Sequence, residues 1–367
     1  MDDRRLVSLD AFRGLTIAAM ILVNNPGTWR FVYPSLRHAE WHGWTPTDLI
    51  FPFFLFMVGI SLAFSLARRR EERGGASAVY VKIVERSVIL FALGLFLQLF
   101  PFFRFEGMRI PGVLQRIAVC FFAASLIYLH AGVKERLAVV AALVAGYWLA
   151  LKLIPVPGYG PGVLEQAGNL PAYVDTKLLA GHLYQTGFDP EGIVSTLGAL
   201  ATTLIGTLIG DLLRSTRTLS AKFRVLFGLG VVLTPLGLVL HRWLPINKPL
   251  WTSSYVVFTA GAAMLVLGLF FFLVEVIHFR AWAFPFLVFG TNAILVYVGS
   301  GVMVRLIRLI FVTRGGERLS LPDFVYGRWL APWAGPYVGS LLWPVILLLV
   351  WFLILLPLYR KRIFLKV

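Results

Sequence analysis

Apolar runs of membrane-spanning length follow one another along most of the chain. A helix needs about 20 mostly apolar residues to cross the hydrocarbon core, and it pairs all its backbone groups internally. The pattern predicts an all-α, polytopic membrane bundle of about ten transmembrane helices, in a single domain over residues 1–367. The predicted helices are 6–24, 47–66, 83–100, 113–130, 137–154, 193–213, 225–240, 253–277, 284–309 and 338–358.

Composition supports the membrane assignment and argues against nucleic-acid binding. The 367 residues are 58% hydrophobic and only 14% charged, with a mean hydropathy of +0.80, whereas about a quarter of a soluble domain is charged. The net charge of +16 comes from cations between apolar runs, so no soluble basic face is expected. One cysteine, Cys120, leaves no intrachain disulfide and no cysteine metal site.

Loop charges predict the orientation of the bundle. Cations concentrate in the short loops on one side, and such loops are cytoplasmic in most membrane proteins. Both termini are therefore predicted to be cytoplasmic. The cations of that side are Arg4, Arg5, Arg68, Arg69, Arg70, Arg73, Lys82, Lys134, Arg136, Arg214, Arg217, Lys222, Arg224, Arg280, Arg360, Lys361, Arg362 and Lys366.

Polar side chains within apolar segments are costly in a bilayer, so each is a candidate functional residue. Asp10 and Arg13 can share a helix face, as a binding pair or as an ion pair at the membrane edge. Asn24 ends the first predicted helix and is either functional or a cap. Arg116 either snorkels to the surface or binds an anionic or carbonyl group. Asn292 either joins helices or touches a ligand.

The tryptophan-rich loop 25–46 carries the histidine candidates. His38 and His42 are four residues apart, but a metal site would need helical geometry and a third ligand, and neither is supported. A catalytic base and an ordinary interfacial histidine remain open. Together the polar residues predict one pocket opening outward, which fits a transporter as well as an enzyme. Its predicted lining is Asn24, His38, Asp48, Arg116, Glu191 and Asn292.

Six motifs occur in the order seen in one family of membrane enzymes. They are SLDAFRG (8–14), LVNN (22–25), HAEWHGWTPTDLIFPFFLFMVG (38–59), RIPGVLQRIAV (109–119), FDPEGIVSTLGALATTLIG (188–206) and FGTNAILVYVG (289–299). In these blocks the chain resembles the heparan-α-glucosaminide N-acetyltransferase family, and DAFRG is also similar to the wider transmembrane acyltransferase superfamily. The resemblance implies a compact bacterial homologue in the inner membrane, without the lumenal N-terminal domain of lysosomal members.

The resemblance also implies a reaction and roles for individual residues. The family moves acetyl from cytosolic acetyl-CoA to the amine of a glucosamine across the membrane, without a metal. It implies that His38 is the general base or acetyl carrier and that Asn24 is the second catalytic residue. It further implies that Arg13, Arg116 and Asn292 bind acetyl-CoA, and that Asp10, Asp48 and Glu191 bind the amino sugar. We expect the CoA phosphates to meet a cytoplasmic rim of Arg4, Arg5, Arg68, Arg69, Arg70, Arg214 and Arg217.

Two departures from the family pattern concern the acceptor. His42 stands where the family often has asparagine, and the loop between Asn24 and His38 is longer, so the lysosomal substrate is not carried over. An O-acetyltransferase of periplasmic glycans and a sugar transporter stay as alternatives. The transporter would require an inverted repeat, and only FPFFLF (51–56) and FPFLVFG (284–290) are similar. The family resemblance also suggests a homodimer.

Overall fold

The fold is a bundle of α-helices with one small hairpin, in a computed structural model that describes residues 6–71, 76–314 and 316–365. The helices are α1 (Val7–Asn24), α2 (Ile50–Glu71), α3 (Ala76–Leu99), α4 (Val113–His130), α5 (Val133–Leu153), α6 (Leu170–Leu178), α7 (Thr196–Arg214), α8 (Leu219–Leu240), α9 (Ser253–Phe271), α10 (Phe284–Gly290), α11 (Ala293–Arg308), α12 (Leu321–Val325), α13 (Ala331–Ala334) and α14 (Pro336–Arg360). Strand β1 (Phe311–Arg314) pairs antiparallel with β2 (Glu317–Ser320), with Phe311 opposite Ser320.

The predicted all-α polytopic class is confirmed. Eight helices of the described residues are long and apolar enough to cross a membrane, and the bent pair Ala281–Gly290 and Ala293–Arg308 makes up to nine. The prediction of about ten counted α3 as well, whose 24 residues include the charged Lys82, Glu85 and Arg86.

The predicted continuous helix over 284–309 is wrong, because the chain bends by 67° between α10 and α11. At the bend Asn292 leaves the helical conformation, with φ at −126°. Its side-chain amide donates to the carbonyl of Ile363 at 3.1 Å, and its side-chain oxygen accepts the backbone N–H of Leu365 at 2.8 Å. These bonds to the segment after α14 stabilise the break.

Helices α1 and α14 run antiparallel and define two ends of the bundle. After α1 ends, Gly27 donates its N–H to the carbonyl of Ser340, close to the start of α14. At the opposite end, Gly290 packs against the backbone of Asp10, near the segment that follows α14. We call these the loop end (Asn24, residues 25–46 and the start of α14) and the termini end (residues 6–14, 290–292 and 360–365). Asp10 and Asn24 lie about 21 Å apart along the axis of α1 at 1.5 Å per residue.

Glycines allow α2 and α7 to pack with their backbones nearly in contact. A Cβ atom at Gly59 would lie 1.9 Å from the carbonyl oxygen of Thr203, and one at Gly206 would lie 2.1 Å from that of Phe56. Small residues at such crossings are typical of membrane helices, where close van der Waals packing holds the helices together. The largest apolar core lies beside this crossing and includes Phe12 and Phe271.

We expect Gly206→Ala to destabilise the bundle, although alanine is the better helix former by about 0.5–1 kcal/mol. The added methyl group has no room against α2, and such overpacking costs about 1–3 kcal/mol. The matched control is Gly228→Ala in α8, where a Cβ atom meets open space. Thermal unfolding in detergent should show a lower unfolding temperature for Gly206→Ala only, and equal temperatures for both variants would contradict the close packing.

Candidate active site

The loop 25–46 is folded onto the protein and does not extend into solvent. The backbone N–H of Gly43 donates to the carbonyl of Ile246 at 2.7 Å, and the Asn247 side-chain amide donates to the carbonyl of Trp41 at 2.9 Å. The Trp41 indole N–H in turn donates to the carbonyl of Leu164 at 2.8 Å. Residues of three connections thus build the loop end together, and Trp41 is bonded to the other two connections through its backbone carbonyl and its indole N–H.

His38 and Asp48 form a hydrogen-bonded pair at the loop end. Nδ1 of His38 lies 2.7 Å from Oδ1 of Asp48, whose side chain is only 2% exposed, whereas the His38 side chain is 50% exposed. Oδ2 of Asp48 accepts the backbone N–H groups of Ala39 and Thr45, each at 3.0 Å. Thr45 is the N-cap residue of the helical turn Pro46–Leu49. The Asp48 side chain therefore accepts the backbone N–H of the N-cap, as in a capping box.

The contacts of Asp48 determine which nitrogen of His38 carries the proton. An ionised carboxylate can only accept hydrogen bonds, so the proton between the two side chains belongs to Nδ1. Nε2 then holds a lone pair, and no described residue hydrogen-bonds to it. A histidine oriented in this way by a buried carboxylate is the arrangement of a general base.

Lys248 lies beside the His38–Asp48 pair, and the sequence analysis did not identify it. Its Nζ lies 3.1 Å from Nδ1 of His38 and 3.5 Å from Oδ1 of Asp48, and its side chain is 19% exposed. Burial lowers the pKa of Lys248, while the charges of Asp48 and Glu191 act in the opposite direction. Lys248 lies outside every quoted motif, in the connection from α8 to α9, so its sequence neighbourhood gave no signal.

Arg109 joins two of the quoted motifs. It donates to both carboxylate oxygens of Asp189, from Nε at 2.8 Å and from Nη2 at 2.6 Å, and Nη2 also donates to Glu191. Burial opposes its charge, but the bonds and charges of Asp189 and Glu191 outweigh burial and raise the pKa of Arg109. The sequence analysis assigned no individual role to Arg109 or Asp189. Arg109 and Asp189 carry opposite charges and lie in two motifs that are both predicted at the outer side of the membrane. This could have indicated that the two side chains form an ion pair.

Arg116 is buried and does not snorkel to the surface. It is 2% exposed in the first turn of α4, where a cation opposes the helix dipole. Nη2 donates to the carbonyl of Gly192 at 3.0 Å and to Oγ of Ser195 at 2.5 Å, and the guanidinium lies 5.2 Å from the ring centre of Trp251. In the part of the chain that the structure describes, its Nε and Nη1 find no hydrogen-bond partner.

Asp175 in α6 lies behind the Gly192 turn. Its Oδ1 accepts the backbone N–H of Ile193 at 2.8 Å, and Oδ2 is buried without a partner among the described residues. Burial raises the pKa of this carboxyl from 3.8 to about 6, against the opposing bond from Ile193. The folded state therefore holds a proton that the unfolded chain releases, so stability falls as pH rises from about 4 to about 6.

We expect Asp175→Asn to stabilise the protein by roughly 2 kcal/mol at pH 7.5 and by less at pH 4.5. The amide keeps the shape of the side chain and its acceptor for Ile193, and it cannot ionise. Unfolding temperatures of the wild type and the variant at the two pH values measure the difference. Glu106→Gln removes an exposed carboxylate and serves as the control. An equal gain at both pH values would show that ionisation is not the cause.

Three of the predicted site residues lie at the termini end, so the prediction of one outward pocket that includes Asn292 is wrong. Asn292 binds the segment after α14, as described above. Arg13 donates to Oδ1 of Asp10 at 3.0 Å and to Oγ of Ser61 at 2.8 Å, which ties α1 to α2. Asp10 and Arg13 are thus a helix-length away from the His38–Asp48 pair.

The remaining predicted residues divide between the same two ends. Asn24 is exposed at the end of α1, and His42 lies 3.3 Å from the Asn247 amide through Nδ1. Of the predicted rim, Arg214 and Arg217 are exposed at the end of α7, on the side of the termini. Arg68, Arg69 and Arg70 continue the helical backbone of α2, and Arg4 and Arg5 lie outside the described residues, as do Arg73 and Lys366.

Comparison with known proteins agrees with the motifs that meet at the loop end. The family model described as "Heparan-alpha-glucosaminide N-acetyltransferase, catalytic" matches residues 5–237. In an alignment 422 positions long, the chain is 29% identical to the human heparan-alpha-glucosaminide N-acetyltransferase. In one 423 positions long, it is 28% identical to that of Mus musculus. Each match covers 99% of this chain and 60% of the relative, so the chain spans about 60% of these proteins. The chain belongs to the heparan-alpha-glucosaminide N-acetyltransferase family.

Proposed function

We propose that the protein is a membrane-embedded N-acetyltransferase that moves acetyl from acetyl-CoA to the amine of a glucosamine-type sugar. The observation that carries the proposal is the His38–Asp48 pair, which leaves Nε2 of His38 open at the loop end. The human and mouse relatives, which are named as N-acetyltransferases, support the reaction type.

The proposed chemistry uses the lone pair on Nε2. The amine nitrogen attacks the thioester carbonyl, a C–N bond forms, and the C–S bond breaks to release CoA. His38 takes the proton that the amine loses, and Asp48 stabilises the imidazolium through Nδ1–H. The proton then passes to the CoA thiolate, so protons balance. We assign Asn24 the neutral donor for the developing oxyanion. Transfer through an acetyl-His38 intermediate is the competing route.

The two polar ends of the bundle support separate binding sites for the nucleotide of the acetyl donor and for the sugar acceptor. We assign the nucleotide of acetyl-CoA to the termini end, with Arg13 and the rim residues Arg214 and Arg217. Asn292, which the resemblance assigned to acetyl-CoA, is better assigned to holding the segment after α14. At the loop end, Glu191 would face the amino sugar. Arg116, with two guanidinium nitrogens that find no partner among the described residues, would contact the acetyl or pantetheine carbonyls. Asp48 and Asp10, which the resemblance placed at the sugar, are better assigned to orienting His38 and Arg13.

This assignment of the two ends implies a topology, which we also propose. We place the termini end in the cytoplasm and the loop end at the outer face of a bacterial inner membrane, and propose a homodimer as the assembly. The bend at Asn292 is a feature that favours a transporter, since broken helices hold substrates in many of them. Here the segment after α14 already binds the polar groups of the break, which favours the enzyme.

An acceptor panel with labelled acetyl-CoA tests the proposal. We expect the purified protein to acetylate glucosamine and to leave glucose and N-acetylglucosamine, which offer only hydroxyl groups or a blocked amine, unmodified. Mass spectrometry after mild alkali distinguishes an amide from an ester. Ester formation on the hydroxyl sugars would favour an O-acetyltransferase. Uptake of labelled sugar into proteoliposomes without any dependence on acetyl-CoA would contradict the proposal that the protein is an enzyme.

A further inference from the structure

Lys248 places a positive charge beside the nitrogen of His38 that does not react. The 3.1 Å between Nζ and Nδ1 is hydrogen-bond distance, but Nδ1 already donates its proton to Asp48. A ring nitrogen that carries a proton has no lone pair with which to accept a hydrogen bond from the ammonium. Lys248 therefore acts on the ring through its charge alone. Its ion pair with Oδ1 of Asp48, at 3.5 Å, favours the charged form of the amine, against the burial that lowers its pKa.

The two charges act on His38 in opposite directions. Asp48 favours the imidazolium form and Lys248 opposes it, since charges within about 4–6 Å shift protonation strongly. A general base must be neutral before it reacts, so a carboxylate alone would tend to keep it protonated and inactive. The ammonium offsets this effect and leaves the orienting hydrogen bond intact.

Other charged groups near His38 have other partners or are exposed to solvent. Arg37 donates to the carbonyls of Val32 and Arg30, and Glu40 is exposed. His42 faces Asn247 through Nδ1 and Glu165, 3.7 Å away, through Nε2. Arg116 and Glu191 act on the lysine itself, in opposite directions.

The connection from α8 to α9 is built to hold the lysine in place. The buried Asn247 donates its side-chain amide to the carbonyl of Trp41 and accepts the N–H of Leu250 at 2.8 Å. Its backbone N–H donates to Oγ1 of Thr252 at 3.1 Å. The residue before Lys248 is therefore fixed to the loop that carries His38. These bonds fix the backbone position from which the Lys248 side chain reaches the pair.

We propose that Lys248 is a positioning residue that keeps His38 in its neutral, proton-accepting form at physiological pH, an inference that rests on the proposed function. Lys248 does this by compensating the charge of Asp48. Lys248→Met removes the charge but keeps most of the volume, and Lys248→Arg keeps the charge. The acid limb of the kcat/KM profile should move to higher pH in Lys248→Met, with the alkaline plateau retained, and Lys248→Arg should resemble the wild type.

A second readout measures the protonation of His38 without using its activity. Diethyl pyrocarbonate modifies only the unprotonated ring, and mass spectrometry of the peptide containing His38 gives the pH midpoint of modification. We expect this midpoint to rise by about one pH unit in Lys248→Met and to stay in place in Lys248→Arg. Lys177→Met, at an exposed lysine in α6, is the control that leaves it unchanged.

His241 reports whether the connection stays folded, because its Nδ1 accepts the backbone N–H of Ile246 at 2.9 Å. Its modification should be the same in all variants. An unchanged or lower midpoint for His38 in Lys248→Met, or a raised midpoint in Lys248→Arg, would overturn the proposal. A raised midpoint in a protein whose wild type transfers no acetyl would support the charge compensation and overturn the proposed function alone.

Discussion

Replacing His38 with glutamine is expected to lower kcat for acetyl transfer by about 10²–10⁴-fold, the usual contribution of a positioned general base. Glutamine is polar and of similar reach, but it cannot take a proton at neutral pH. Half of the His38 side chain is exposed, so little packing is lost and the bundle should stay folded. Initial rates with labelled acetyl-CoA and saturating glucosamine measure the effect.

His130→Gln is the matched control for this experiment. His130 ends α4 at the opposite end from Arg116, and its Nε2 lies 3.0 Å from the hydroxyl of Tyr80. The same substitution there should leave kcat within about twofold, since surface changes seldom alter stability by more than about 0.5 kcal/mol. Wild-type rates for both variants would show that His38 takes no part in the reaction, and would also contradict the proposed role of Asp48.

Arg109→Gln is expected to destabilise the protein by about 3 kcal/mol, because it leaves two carboxylates without their cation. The Asp189 side chain is fully buried and that of Glu191 is 11% exposed, so the two carboxylates would lose a charge that solvent replaces only in part. The variant should unfold at a lower temperature in detergent. It should also lose acetyl transfer, because the same turn holds Arg116 through Gly192 and Ser195.

Arg104→Gln, on the same connection between α3 and α4, tests whether the loss is specific. Arg104 is exposed and lies 5.8 Å from the ring centre of Phe102. Its unfolding temperature should remain within error of the wild type. If the two variants are equally stable, the Arg109 cluster contributes no more than a surface ion pair.

The sequence was sufficient to predict the long apolar helices, but not short helices such as α6, and not how the helices break and pair. Hydrophobic runs report length and burial, so α1, α4, α5 and α14 lie within a few residues of their predicted bounds. The break at Asn292 depends on contacts with Ile363 and Leu365, more than 70 residues away, and periodicity holds no information on such a contact. The close approach of α2 and α7 likewise depends on glycines from both helices.

The candidate site was predictable where the chemistry lies inside a motif. His38 and Asp48 are ten residues apart, so a local turn can bring them together, and both were singled out. Lys248 comes from a connection 210 residues away and looks like any other loop cation until the loops are packed. The same holds for Asp175, whose role depends on a turn contributed by Gly192.

The central claim is that acetyl transfer takes place at Nε2 of His38, with the donor reaching it from the termini end. Cryo-electron microscopy of the wild-type protein with CoA tests this claim most directly. We predict density for the CoA sulfur within hydrogen-bond distance of His38, and density for the nucleotide phosphates near Arg13 and Arg214. CoA bound wholly at one end of the bundle, with its sulfur away from His38, would contradict the account.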